Sequence, residues 1–148
     1  NISVDEGSQA DYILSIATAD RKRTLLATAN NRGRIQLWNL QPCLGSTAAC
    51  ELLDRWTADP QAIHSVALSA DGCYLASGGE GGKTMLWPLT PKGDRSAQGA
   101  QGQQLNRSSR SINAVDIVRI RDEIFVARGG DDRHVSLYRT SELSSTCP

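Results

Sequence analysis

Three stretches of the chain share one pattern of apolar and polar positions. Residues 26–40 read LATANNRGRIQLWNL, residues 75–89 read LASGGEGGKTMLWPL, and residues 126–140 read VARGGDDRHVSLYRT. Each is an apolar run, then a turn rich in Gly, Asn or Asp, then a run of alternating character ending in an aromatic ring. In residues 34–40, Ile35 and Leu37 point to one side while Gln36 and Trp38 point to the other, which is the period of a half-buried strand. The three aromatics, Trp38, Trp87 and Tyr138, recur about every 50 residues. A fixed period of that length marks a repeat architecture in which each unit is one supersecondary element.

Walking outward from these hairpins fills in the rest of each unit. The pattern predicts strands over 12–17, 24–29, 34–40 and 51–57 in the first unit. In the second it predicts 63–69, 74–79, 83–89 and 103–107, and in the third 112–120, 123–128 and 134–140. Asp71-Gly72 reads as a tight hairpin turn with positive φ at both positions. Pro88 ends the third strand of its unit or leaves it with a free edge. Residues 91–101, rich in Gly, Gln, Ser and Ala, read as a mobile surface loop because the repeat resumes after them. The third unit has no fourth strand of its own, and residues 1–5 (NISVD) form a spare outer strand. The units therefore span residues 12–58, 62–108 and 112–140 within a single segment, 1–148. The absence of an initiating Met, with a repeat beginning almost at once, reads as a piece cut from a longer chain.

Composition narrows the functional classes. Sixteen acidic and sixteen basic side chains balance, so no net field gathers nucleic acid or an anionic membrane. No apolar run approaches the roughly 20 residues that cross a bilayer, and no signal peptide is visible. Neither nucleic acid nor membrane is expected as a partner. The four cysteines, Cys43, Cys50, Cys73 and Cys147, form no C-x-x-C pair, and two histidines do not make a metal site with them. The expectation is four reduced thiols in a cytoplasmic protein, with a Cys43–Cys50 disulfide as the alternative. No metal and no cofactor is expected.

Motifs that mimic catalysis fail on context. Gly82-Lys83-Thr84 follows a glycine-rich run, as in a phosphate-binding loop, but Ser77 stands where the first Gly belongs. Such a loop must also open a helix, whereas MLWPLTP alternates as a strand. His64 and Ser65 are neighbours on a strand and face opposite ways, so they are no acid–base pair. His64 reads as a side chain at a channel mouth, and Asp131 and Asp132 as turn residues. The clusters at 20–23 (DRKR) and 107–110 (RSSR) read as solvated turns, the first on the face opposite that mouth.

The run IHSVALSADGCYLASGGEGGKTMLW resembles the WD-repeat β-propeller family, and the other two units match more loosely. The likeness extends to the C-terminal repeats of long bacterial, cyanobacterial-type WD-repeat proteins, where a propeller follows a signalling ATPase or protease-like domain. It implies an all-β fold, a β-propeller segment of three four-stranded antiparallel blades. The family holds each blade with a buried tetrad of His, Ser or Thr, Asp and Trp. At the Trp position this chain has Trp38, Trp87 and Tyr138. At the Ser/Thr position it has Thr28, Ser77 and Arg128. At the Asp position it has Arg32, Gly81 and Asp132, and at the His position Gln9, Asp59 and Ser108. No blade keeps the full set. Each lost bond costs about 0.5–1.5 kcal/mol, which implies looser blades. Arg128 needs a carboxylate, and Asp132 is the nearest.

Function follows from the same resemblance. Propellers of this family bind proteins or peptides on the face where first strands begin and the second-to-third turns project. On that face stand Tyr12, Asn31, Ala62, His64, Glu80, Arg110, Asn113 and Asp131. The leading reading is a non-catalytic interaction scaffold within a larger signalling or regulatory protein. The second reading is a structural segment that completes a ring with further blades of the same or another chain, or as a homodimer, since three blades leave two apolar faces open. A propeller enzyme ranks last, because clustered carboxylates or histidines are missing.

Overall fold

The computed structural model describes residues 11–95 and 101–141. The readings of residues 1–5 as a spare strand and of Gln9 as a tetrad position lie outside these residues. So do Cys147 and residues 96–100 of the loop placed at 91–101. The described chain is eleven strands and one short 3-10 turn at Gln41–Cys43. The first sheet runs β1 (Ile13–Ala19), β2 (Leu25–Asn30), β3 (Arg34–Asn39) and β4 (Glu51–Thr57) in sequence order. The second runs β5 (Ile63–Leu68), β6 (Tyr74–Gly79), β7 (Lys83–Pro88) and β8 (Gln103–Arg107). The third contains β9 (Ile112–Ile120), β10 (Glu123–Gly130) and β11 (Val135–Ser141), and no fourth strand among the described residues. All pairings are antiparallel, so each sheet is a meander of hairpins.

The sheets stack through apolar side chains, and alternation decides which neighbour each residue meets. Ala27, Ala29, Ile35 and Leu37 of the first sheet share one cluster with Val66, Leu68, Leu75 and Trp87 of the second. The opposite face of the second sheet gives Ala67, Tyr74, Ala76 and Leu86 to a second cluster, with Ile112, Val115, Ile124 and Val126 of the third. The middle sheet is therefore sealed on both faces, the arrangement of packed blades. Trp56 meets Trp87 edge to face at 5.4 Å, and Arg95 stacks over Trp56 while pairing with Asp54 at 2.9 Å. That ties the loop after β7 back to the outer strand of the first sheet.

Each first strand carries the same irregularity. The register slips between Ile13 and Ser15, between Ile63 and Ser65, and opposite Gly129 and Gly130, which leaves Leu14, His64 and Asn113 bulged out. Gly33 and Gly82 end the second-to-third turns with φ of 74° each, and Arg133 does so with φ of 64°. The first two must be Gly, since a side chain there would strike the Asp59 or Ser108 carbonyl of the chain leaving the outer strand.

Two expectations are corrected. Asp71-Gly72 is not a two-residue turn: only Gly72 has positive φ. The Asp71 carboxylate instead receives the Cys73 N–H at 3.0 Å, and Ser69 Oγ receives the Cys73 and Tyr74 N–H groups. Local side-chain bonds outcompete the tighter turn. Nor are the thiols reduced: no cysteine among the described residues is free. Cys43 and Cys50 are disulfide-bonded, because the loop between β3 and β4 folds back and brings their Cα atoms to 4.8 Å. Cys73 too is disulfide-bonded.

A candidate interaction face and the polar network behind it

One contact recurs at the same end of every sheet. The residue just before each first strand accepts, through its carbonyl, the N–H of a residue in the second-to-third turn. Asn31 N–H reaches Tyr12 O at 3.2 Å, Glu80 N–H reaches Ala62 O at 2.9 Å, and Asp131 N–H reaches Ser111 O at 2.9 Å. Asn31, Glu80 and Asp131 are thereby fixed at equivalent positions, with Glu80 and Asp131 exposed. Asn31 Oδ1 also receives the Tyr12 N–H at 3.0 Å, and Asn113 Nδ2 donates to Asp131 Oδ1 at 2.6 Å. His64 and Asn113 are both bulge residues, aimed off the ladder where a regular strand would have buried or paired them. Tyr12 is the large aromatic there, 58% exposed, and Arg110 is exposed beside the start of β9. Ala62 is buried, so it contributes its carbonyl and little surface.

Behind this face lie the tetrad positions, and the three blades treat them differently. In the third blade the four positions are bonded in series with new chemistry. Ser108 donates to Asp132 Oδ2 at 3.0 Å, Arg128 donates to the same oxygen at 2.5 Å, and Arg128 also bonds the Tyr138 phenol. Asn106 closes the chain on Tyr138 Oη. The Arg128 bond, the His134 N–H and the Ser108 hydroxyl pull the Asp132 carboxyl down to about 2. Tyr138 is lowered too: burial opposes this, and the bonds with Arg128, Ser136 and Asn106 outweigh it. The third blade thus fills the tetrad positions with a bonded set of its own, although Arg128 Nε is buried without a hydrogen-bond partner among the described residues. An Arg in place of Ser or Thr reaches further, so it spans the gap that a Tyr in place of Trp leaves.

In the second blade the network is broken. Gly81 offers no carboxylate, and Asp59, the neighbour at the His position, fills the space: a Cβ on Gly81 would stand 2.6 Å from Asp59 Oδ2. Asp59 caps Gln61 N–H at 2.9 Å and sits 3.7 Å from Lys83 Nζ. Ser77 Oγ is buried without a hydrogen-bond partner among the described residues, as is Trp38 Nε1 in the first blade. Thr28 and Trp87 are buried in place.

Two polar features were not anticipated. Val66 N–H donates to Ser15 Oγ at 3.1 Å, and Val115 N–H donates to Ser65 Oγ at 3.0 Å, so consecutive first strands are stitched across the blade boundary. Ser65 is thus committed to structure beside His64. Lys83-Thr84 opens β7, with Thr84 buried, and not a helix. At the opposite end of the sheets Arg21 and Lys22 of one first-to-second turn, Arg121 of another and Arg119 near the end of β9 surround a cavity of about 400 Å³, with Arg119 paired to Asp71 at 2.8 Å.

Residues 50–88 match the family model described as WD domain, G-beta repeat. That segment is similar to a WD repeat. The matched segment runs from the end of the Cys43–Cys50 loop through the last residue of β7, and so covers the outer strand of one blade and the first three strands of the next. The WD repeat and the all-β stack of antiparallel sheets agree on one architecture, and WD domains in general are non-catalytic modules that bind proteins. No curated protein matches the chain at a significant level.

Proposed function

We propose that this WD-repeat segment is an interaction scaffold in a larger signalling or regulatory protein, and that it docks a protein or peptide on the face bearing Tyr12, Asn31, Glu80 and Asp131. The observation that carries the proposal is the repeated turn contact. Three equivalent positions are held by the same backbone bond on hairpin turns, and each presents a different side chain. A constant frame with variable tips suits recognition. Tyr12 supplies an amphipathic ring of the kind that anchors interfaces, and Glu80 with Asp131 forms an acidic rim.

Selection of a random peptide library on the 148-residue chain tests this. Enriched peptides should lose at least about tenfold in affinity for Tyr12→Ala, as for an anchor worth more than about 1.4 kcal/mol. They should also lose affinity for the Glu80→Lys, Asp131→Lys double variant. Peptides bound equally by all three proteins would place recognition elsewhere.

A further inference from the structure

The two outer faces of the stack both expose apolar side chains that are buried at the equivalent internal positions. On the third sheet, Val135 and Leu137 are 87% and 67% exposed. Their equivalents in the first sheet, Ile35 and Leu37, and in the second, Thr84 and Leu86, are fully buried under the next blade. A groove of about 280 Å³ runs beside Val135, lined by Ala114, Val115, Ala127 and Gly129. Gly78, which holds the place of Gly129 in the second sheet, is covered so closely by Ile112 and Val115 that a side chain there would collide with them. A Cβ placed on Gly129 would meet no heavy atom within 4 Å.

The opposite end of the stack carries the matching plug. Ile13 and Ile16 of β1 stand where Ile63 and Val66 stand in β5 and where Ile112 and Val115 stand in β9. Those later pairs are buried against the preceding blade, whereas Ile16 is 65% exposed and Ile13 38%. Plug and socket share one register and one apolar chemistry, and the chain has a formal net charge of zero, so copies of it do not repel each other over long range.

We propose that a second copy of this chain covers both faces, head to tail. Ile13 and Ile16 of each copy would seat over Gly129 of the other, and the two chains would close a ring of six sheets. Such a contact is heterologous, and two-fold closure uses both faces of both copies. One link of the internal interfaces is missing from it. The serines that bond the following first strand, Ser15 and Ser65, are succeeded in the third sheet by Ala114.

Light scattering on the 148-residue chain over a concentration series is the test. A species of twice the 16.0 kDa chain mass is expected. Gly129→Trp, which fills the socket where no neighbour stands, should abolish it, and so should Ile16→Glu on the plug. Circular dichroism would confirm that both variants keep the fold. Mixing the two variants should restore a two-chain species, because the intact plug of one meets the intact socket of the other. Ala114→Ser should shift the association midpoint to lower concentration. A monomer throughout the series, a ladder of open multimers, or a dimer indifferent to Gly129→Trp would overturn the proposal. None of these outcomes depends on whether the Tyr12 face binds a peptide.

Discussion

Leu86 in the second blade and Leu137 in the third occupy the same place in their sheets, one residue before the aromatic. One is fully buried and the other is two-thirds exposed. The polar positions behind them run the other way. In the second blade Ser77 is buried and its hydroxyl goes unanswered, whereas in the third Ser108, Asp132, Arg128 and Tyr138 bond in series. The middle blade is thus held by apolar burial on both faces and tolerates a broken network. The terminal blade has only one apolar face covered and is held by charge-assisted bonds. The tetrad positions are a frame that several chemistries can fill: the third blade fills it with charge-assisted bonds, while the first leaves Trp38 Nε1, and the second Ser77 Oγ, without a hydrogen-bond partner among the described residues.

Truncation of the paired leucines should separate the two blades most sharply. Leu86→Ala should cost about 2–5 kcal/mol of unfolding free energy in urea titrations, from lost burial and the cavity left behind. Leu137→Ala should fall within about 0.5 kcal/mol for the single chain, at concentrations below the association midpoint. Equal losses would mean that the third sheet is already covered.

Asp132→Asn should give the next largest loss, because Arg128 is left buried without its counter-charge. Its pH dependence has a defined sign. The carboxyl titrates at about 2 when folded, against an ordinary value near 3.9 unfolded. Its contribution is therefore full above pH ~4 and is lost as pH falls toward ~2. Thermal melts should show the native protein losing stability through that window and the variant losing less, so that the two converge at the acid end.

Ser77→Ala should give the smallest effect and the opposite sign. It removes an unsatisfied buried hydroxyl, so stability should hold or rise by up to about 1 kcal/mol. A loss of similar size would show that the Ser77 hydroxyl is bonded in solution, and the contrast between the blades would shrink.

Much of the fold was legible in the residues. Strands bounded by clear turn chemistry, such as Tyr74–Gly79 before the Glu80–Gly82 turn and Ile112–Ile120 before Arg121, were read at their observed bounds. Strands ending in polar or Gly residues slipped by one or two positions: β10 continues through Gly129 and Gly130, and β1 through Thr18 and Ala19. There the ladder, which side-chain pattern does not report, decides the end. Arg128 was legible as a charge needing a partner, since burial without one is costly. The Ser15 and Ser65 links were not legible, because each joins residues about 50 apart that meet only when blades stack. The Cys43–Cys50 bond was compatible with its spacing, but an assumption about redox environment pointed away from it, and spacing alone does not decide between thiol and disulfide.

That disulfide has a consequence for how the chain would come apart. The exposed loop at residues 44–49 is an accessible place for a protease to cut, yet the bond spans it. A nick there would sever the backbone between β3 and β4 without releasing either piece. The two fragments would migrate together until a reductant was added, and the outer strand of the first blade would keep its place beside Arg95 in the meantime.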